Sequence, residues 1–324
     1  MDFRLVALER WLGAQLPEVP FTLASASEDA SFRRYFRVRL ADGRSFIAMD
    51  APPDRENCRP FVRVARLLRD AGLNAPQVLA EDLAQGFLLL TDLGTVTYLE
   101  SLNEGSAAGL FRDASDALIR WQLATRQGAL PRYDEPLLRS EMGLFSEWYL
   151  SRHMGIALNG SQKSDLEQVF GLLLASALAQ PAVYVHRDYM PRNLMVSQPN
   201  PGVLDFQDAV EGPISYDMVS LLRDAFISWQ EEQVLDWTAR YWEKAKKVGL
   251  PVEADFSAFW RSFEWMGLQR HLKVLGIFAR LTYRDGKARY LEDTPRFLSY
   301  VRAVAQRYGA LAPLARLLEE LDNE

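Results

Sequence analysis

One cysteine, Cys58, stands in a chain of 324 residues. No disulfide can close within the chain, which fits a reducing compartment. Long apolar runs are also missing. The most apolar stretch, near Leu172 to Val185, is interrupted by Ser176, Gln180 and Pro181, and nothing is long enough to read as a transmembrane helix. The start, MDFRLVALERWLG, scatters acids and bases through an amphipathic pattern. It lacks the basic start and apolar run of a signal peptide. A cytoplasmic protein with no membrane association is therefore expected. Formal charge is −6 with no long run of one sign, which argues against nucleic acid as partner, since such binders carry a basic patch. His153 and His271 have no partner at metal-ligand spacing, and no Ser-His-Asp or Cys-His arrangement is visible. There is no internal repeat, low-complexity tract or long linker, and no obligate protein partner is evident.

What the chain does have is core material. Hydrophobic residues make up 48% and there are eight tryptophans, enough for one large domain or two lobes. Asp2 to Leu16 reads as an amphipathic helix. Short β-like runs follow at Phe21 to Leu23, Tyr35 to Leu40 and Phe46 to Asp50, with Asp42-Gly43 as a hairpin signal between the last two. Phe61 to Ala71 reads as a helix stopped by Gly72. Val78 to Glu81 and Phe87 to Thr91 add two strands. After Gly94 the pattern turns helical: Ser106 to Arg126, Pro136 to His153 and Ser164 to Ala179 carry apolar residues three and four apart. Helices resume at Tyr216 to Ile227, Glu231 to Val248, Asp255 to Leu281 and Thr294 to Tyr308, and a short one follows Pro313.

The most informative segment lies between these halves: VYVHRDYMPRNLMVSQPNPGVLDFQD, Val183 to Asp208. Val183 to Val185 reads as a strand and His186 to Asn193 as a loop. Leu194 to Val196 and Val203 to Leu204 read as a hairpin around Pro199, Asn200, Pro201 and Gly202. Asp188 precedes Asn193 by five residues, and Asp205 sits on the second strand. Such a set holds one carboxylate near a nucleophile, while an amide oxygen and a second carboxylate hold metal ions. Phosphoryl transfer from ATP needs those parts.

HRDYMPRNL followed by LDFQD resembles the catalytic loop and metal-binding Asp of the kinase fold, in the form found in the aminoglycoside phosphotransferase-like family. The resemblance implies an α+β, two-lobed, protein-kinase-like fold. A small antiparallel β lobe (residues 1–94) would cover the nucleotide, and a larger, mainly helical lobe (residues 95–324) would bind the acceptor, with ATP in the cleft between them. It further implies that Asp188 is the catalytic base, that Asn193 and Asp205 are Mg²⁺ ligands, and that His186 is structural.

The nucleotide side departs from the kinase pattern twice. The loop between the first two strands, Ser25 to Arg34, holds no glycine. Its backbone N–H groups, near Phe32, and the Ser31 hydroxyl can still meet phosphate, and Arg33 or Arg34 can add charge-assisted bonds. In FIAMD, Met49 stands where VAIK places the phosphate-binding lysine, so Glu56 has no obvious partner. Another cation, Arg33 or Arg34, is expected to replace it. LLLLTDLG resembles the family's hinge, with Leu93 as donor to adenine and Thr91 or Asp92 as acceptor.

On the acceptor side, Asp217 opens a helix. It reads either as a first-turn acid satisfying local N–H groups or as a brace for the catalytic loop. Arg223 follows, to pair with an acid or to reach substrate. Trp265 is a core residue or a sugar-stacking one, and Gln269 leads the basic group Arg270, His271 and Lys273. A polycationic aminoglycoside needs acids, so this stretch leans toward a neutral or anionic acceptor. Across DASFRRYFRV, FIAMDAPP, LLLLTDLG, HRDYMPRNL and LDFQDAVEGPISYDMVSLLRD the chain resembles one branch of the family, the anomeric kinases of cell-wall recycling that act on N-acetylmuramic acid and N-acetylglucosamine. That resemblance implies ATP, Mg²⁺ and a small amino-sugar acceptor. The alternatives are another hydroxyl acceptor (aminoglycoside, choline or another sugar) or a nucleotide-binding pseudokinase. The sequence argues against peptide substrates: only about ten residues separate Asp205 from the Asp217 helix, with no APE-ended activation segment.

Overall fold

The computed structural model describes residues 2–16, 19–28 and 32–321. Its contacts divide the chain into two compact units. The first comprises residues 1–106 and 192–209, the second residues 107–191 and 210–324. The first unit thus runs past Gly94 to Ser106 and takes in the hairpin that follows the His186–Asn193 loop.

The first unit opens with α1 (Phe3–Gln15), whose N-cap Asp2 accepts from the N–H groups of Arg4 and Leu5. Strands β1 (Phe21–Glu28), β2 (Arg34–Leu40) and β3 (Ser45–Asp50) follow, then α2 (Cys58–Asp70), β4 (Val78–Asp82), β5 (Phe87–Thr91) and the short α3 (Tyr98–Ser101). The five strands form one antiparallel sheet in the order β1-β2-β3-β5-β4. Alternation along β2, β3 and β5 puts Val38, Leu40, Ala48, Phe87 and Leu89 into one cluster with Leu8 and Leu12 of α1. The β1–β2 register shifts between Ser25 and Ser27. Gly72, at φ 76°, ends α2 as the sequence predicts. The later hairpin, β7 (Leu194–Met195) with β8 (Gly202–Val203), joins this unit through Val203 N–H to Asn74 C=O (2.8 Å) and Val196 N–H to Val96 C=O (2.9 Å).

The second unit is helical around a two-stranded ribbon. Its helices are α4 (Ala107–Leu123), α5 (Glu135–Leu144), α6 (Gly160–Ala179), α7 (Tyr216–Leu222), α8 (Glu231–Lys247), α9 (Phe256–Asp285), α10 (Thr294–Arg307) and α11 (Ala312–Leu321). The ribbon pairs β6 (Ala182–Val185) antiparallel with β9 (Val210–Pro213), a strand the sequence reading missed. The expected single helix from Pro136 to His153 changes pitch at Phe145, where it becomes π-helical. The long α9 is the centre of the unit, buried on every side through much of its length. At Gly276 it meets the turn that ends α5. A Cβ there would lie 2.3 Å from the Leu144 carbonyl carbon, and backbone has no rotamer with which to yield. Gly276→Ala should therefore destabilise the protein by about 3 kcal/mol, read as a lowered urea midpoint. An unchanged midpoint would mean the helices do not approach this closely.

Candidate active site

β6 delivers the chain to His186, and the loop turns at once, with Arg187 in the left-handed region at φ 76°. A non-glycine residue holds that conformation only when its surroundings fix it. Asp217, fully buried, does so, accepting the N–H of His186 at 2.7 Å and that of Arg187 at 3.0 Å. Ser220, one turn further along α7, places its hydroxyl 3.3 Å from the Arg187 carbonyl oxygen. The Tyr189 hydroxyl donates to the Ala114 carbonyl at 2.9 Å. The N–H groups that Asp217 satisfies thus belong to the His186–Asn193 loop, so it braces that loop and not its own helix start. Burial pushes its carboxyl up to about 7, against the pull of the two N–H donors.

Asp188 is 38% exposed, whereas Arg270 and Lys273 beside it are buried and Arg187 is partly so. Arg270 of α9 lies 3.8 Å from its Oδ1 and is 4% exposed. Burial alone would raise the Asp188 carboxyl, but Lys273, Arg270 and Arg187 outweigh it and hold the group below its ordinary value. Asp188 is therefore an anion at neutral pH. Two of those cations are themselves neutralised. Glu141 of α5 takes Arg187 Nη2 at 2.5 Å, Lys273 Nζ at 3.1 Å and the Tyr133 hydroxyl. Lys273 also reaches the Tyr216 hydroxyl at 3.1 Å. Burial works against the ionised form of Glu141, and Lys273 and Arg187 overcome it. Tyr133 packs on Gly212 of β9, where a Cβ would lie 2.9 Å from the Tyr133 Cβ and 3.0 Å from its ring.

In the first unit, Asn193 donates through Nδ2 to Asp205 Oδ2 at 3.3 Å, and Gln207 Nε2 donates to Asp205 Oδ1 at 2.9 Å. Asp205 has φ 60°. An amide oxygen and a carboxylate side by side are the hard oxygen donors that Mg²⁺ takes, so the residues fit that ion. Phe206, next to Asp205, stacks against Phe61 of α2 with ring centroids 4.7 Å apart.

The structure also places the other expected nucleotide residues. Ser31 lies outside the described residues. Met49 is fully buried on β3, opposite Tyr35 and Leu88. Arg34 is committed to Asp50 (2.5 Å) and to Asp2. Arg33 lies 3.9 Å from Glu56, which also accepts the Phe32 N–H at 3.2 Å. The expectation that Glu56 lacks a partner is thus corrected. Thr91 gives its N–H to Gln77 and accepts Gln77's N–H on its hydroxyl. The Asp92 carboxylate binds Arg37, Ser45 and the Gly94 N–H. Leu93 reaches toward Gly202.

On the acceptor side, Trp265 is buried with Tyr308 at its edge and the Arg261 guanidinium 4.4 Å from its ring centre, so a cation covers one face of the ring. Arg223 pairs with Glu264 at 3.3 Å among the rings of Trp260, Phe263 and Tyr300. Gln269 alone of these approaches the cluster near Asp188, with Nε2 3.5 Å from Glu141. Sequence reasoning missed Glu141. The signal was there: it lies between Leu138, Met142 and Phe145 on the buried side of its helix, and an acid in that position needs partners.

A five-stranded antiparallel sheet, a mainly helical unit and a braced HRD-type loop define a phosphotransferase of the protein-kinase-like fold. The sequence profile of the phosphotransferase enzyme family matches residues 22–251, and the chain belongs to that family. It is similar to the N-acetylmuramate/N-acetylglucosamine kinase of Pseudomonas putida, with 53% identity over 99% of this chain and 97% of that protein. It is similar to the protein of the same name from Pseudomonas aeruginosa, with 52% identity over the same shares. Among solved structures, a choline/ethanolamine kinase family protein from Mesorhizobium loti superposes with a TM-score of 0.64 at 15% identity, over 97% of this chain and 100% of that one.

The Asp217 carboxyl holds its proton more tightly in the fold than in the unfolded chain. Its contribution to stability is therefore complete below about pH 4 and is lost as pH rises toward 7. The melting temperature of the native protein relative to Asp217→Asn should fall between about pH 4 and about pH 7 and level off above that. A difference that stays flat across that range would show that Asp217 does not titrate there.

Proposed function

We propose that the chain transfers the γ-phosphoryl group of ATP to the anomeric hydroxyl of N-acetylmuramic acid and N-acetylglucosamine, in the cytoplasm, as a step in recycling cell-wall sugars. The observation that carries this reading is the 52–53% identity, over nearly the whole chain, to two proteins named for those two sugars. The site agrees with it. The residues around Asp188 are mostly cationic, with Glu141 as the main countercharge. That suits a neutral sugar or one bearing a carboxylate and disfavours a polycation.

Asp188 accepts the hydrogen of the attacking hydroxyl and points its oxygen along the line of transfer. The three cations keep Asp188 ionised, so it orients the hydroxyl from the start and takes the proton late, as a loose transition state permits. Asn193 and Asp205 would hold Mg²⁺, which when bound would neutralise charge on the phosphates. Arg33, braced by Glu56, supplies the phosphate-facing cation that Met49 cannot, and the Phe32 segment adds backbone N–H groups. Asp92-Leu93, following β5, offers extended backbone to the adenine edge.

The deciding experiment is ³¹P NMR with ATP, Mg²⁺ and each sugar in turn. A new phosphate signal coupled to the anomeric proton is expected with both. Tight ATP binding with no product from either would instead favour a nucleotide-binding module. Asp188→Asn should fold normally and lose turnover by roughly a hundredfold or more; near-normal turnover would exclude Asp188 as the base. Asp205→Ala should abolish Mg²⁺-dependent nucleotide binding in titration calorimetry, and unchanged affinity would remove it as a metal ligand.

A further inference from the structure

Arg270 is a buried guanidinium, and the transfer step described above asks of it only that it help keep Asp188 ionised. Such a group is costly to bury unless its N–H groups find partners, and its partners all concern one loop. Nε donates to Ser220 Oγ at 2.7 Å. Ser220 in turn lies 3.3 Å from the carbonyl oxygen of Arg187, the loop residue at φ 76°, and 3.3 Å from that of Tyr216. Nη2 stands 3.8 Å from Asp188 Oδ1. That is an ion-pair separation, too long for a hydrogen bond, so the guanidinium attracts the carboxylate without taking one of its lone pairs. The neighbouring cations differ. Lys273 and Arg187 are both engaged by Glu141, and Arg270 is not. Among the described residues, Asp188 is the carboxylate that Arg270 pairs with.

We infer that Arg270 is a positioning residue for the transfer step: from α9 it fixes the catalytic loop through Ser220 and aims the Asp188 carboxylate at the acceptor hydroxyl. The inference rests on the proposed function. It adds a contact from a helix far along the chain from the HRD segment. The two actions are separable by chemistry. A lysine at 270 keeps the charge facing Asp188 but cannot reproduce the planar fork that also grips Ser220. An alanine at 220 removes the grip and leaves the charge.

The test is steady-state kinetics of Arg270→Met, Arg270→Lys and Ser220→Ala, with N-acetylglucosamine and N-acetylmuramic acid as acceptors. Misplacing a reacting group by about 1 Å costs on the order of a hundredfold. A drop in kcat of that order is expected for Arg270→Met, equal for the two sugars, with KM for ATP unchanged. Arg270→Lys should recover part of the loss, and Ser220→Ala should show a smaller one. N-Acetylglucosamine has no carboxylate, so a loss confined to KM for N-acetylmuramic acid would overturn the inference by making Arg270 a reader of substrate charge. Unchanged kcat in Arg270→Met would overturn it too, as would a loss that lysine does not relieve and that follows a fallen melting temperature. If Arg270→Met is insoluble, full kcat in both other variants overturns it. Wild-type turnover with neither sugar would remove the proposed function and the inference with it. An active wild type beside a fully active Arg270→Met would remove the inference alone.

Discussion

The second unit's chemistry depends on a carboxylate that never meets solvent. Asp217 accepts two adjacent backbone N–H groups, those of His186 and Arg187, and so holds Arg187 at a positive φ. A left-handed L-residue costs roughly 1–2 kcal/mol, and a buried carboxyl resists ionising. The two N–H bonds offset both costs. Without them the loop has no reason to keep the turn that presents Asp188. The β6–β9 ribbon makes the arrangement possible. Its register pairs Val185 with Val210 and Ala182 with Pro213, so the strand leading into the loop and the strand leading toward α7 run side by side.

Charge balance is the second constraint. Arg187, Arg270 and Lys273 crowd near one exposed carboxylate, and three buried or half-buried cations would repel one another without a counterion. Glu141 supplies it, and the Tyr133 and Tyr216 hydroxyls take up remaining polar contacts. This explains why an acid belongs on the inward face of α5. It also explains why Gly212 must lack a side chain, since Tyr133 needs that space to reach Glu141.

Much of this was legible in the sequence. The strands of the first unit followed from alternation, the α2 stop from Gly72, and the hairpin after the loop from its Pro-Asn-Pro-Gly turn, because each depends on neighbours along the chain. The rest depends on residues distant in sequence. β9 is four residues long, VEGP, with a glycine and a proline, and only pairing with β6 makes it a strand. Arg270 and Lys273 stand out only as part of a basic stretch on the acceptor side, and it is packing that turns them toward Asp188 and Glu141. The π-helical pitch after Phe145 leaves no mark in apolar spacing alone. Trp265 and Arg223 belonged to polar-aromatic contacts inside the helical unit, a role that spacing cannot separate from contact with a ligand.

The missing strand lysine has a physical logic visible in the first unit. Alternation sends Met49 and Asp50 to opposite faces of β3. Met49 is buried as a hydrophobe, and Asp50, fully buried, gathers Arg4 and Arg34. One strand thus ties α1 to the sheet through a carboxylate, and Arg34 is taken up in doing so. A lysine at 49 would have put a second buried charge on the other face of the same strand and would have required an acid as its partner. With a methionine there, Glu56 pairs with Arg33 instead. Position 33 immediately precedes β2, so its charge sits at the end of the strand and not within the sheet. The Arg33–Glu56 pair thus keeps a paired positive charge in the first unit, while the Met49 face of β3 stays apolar.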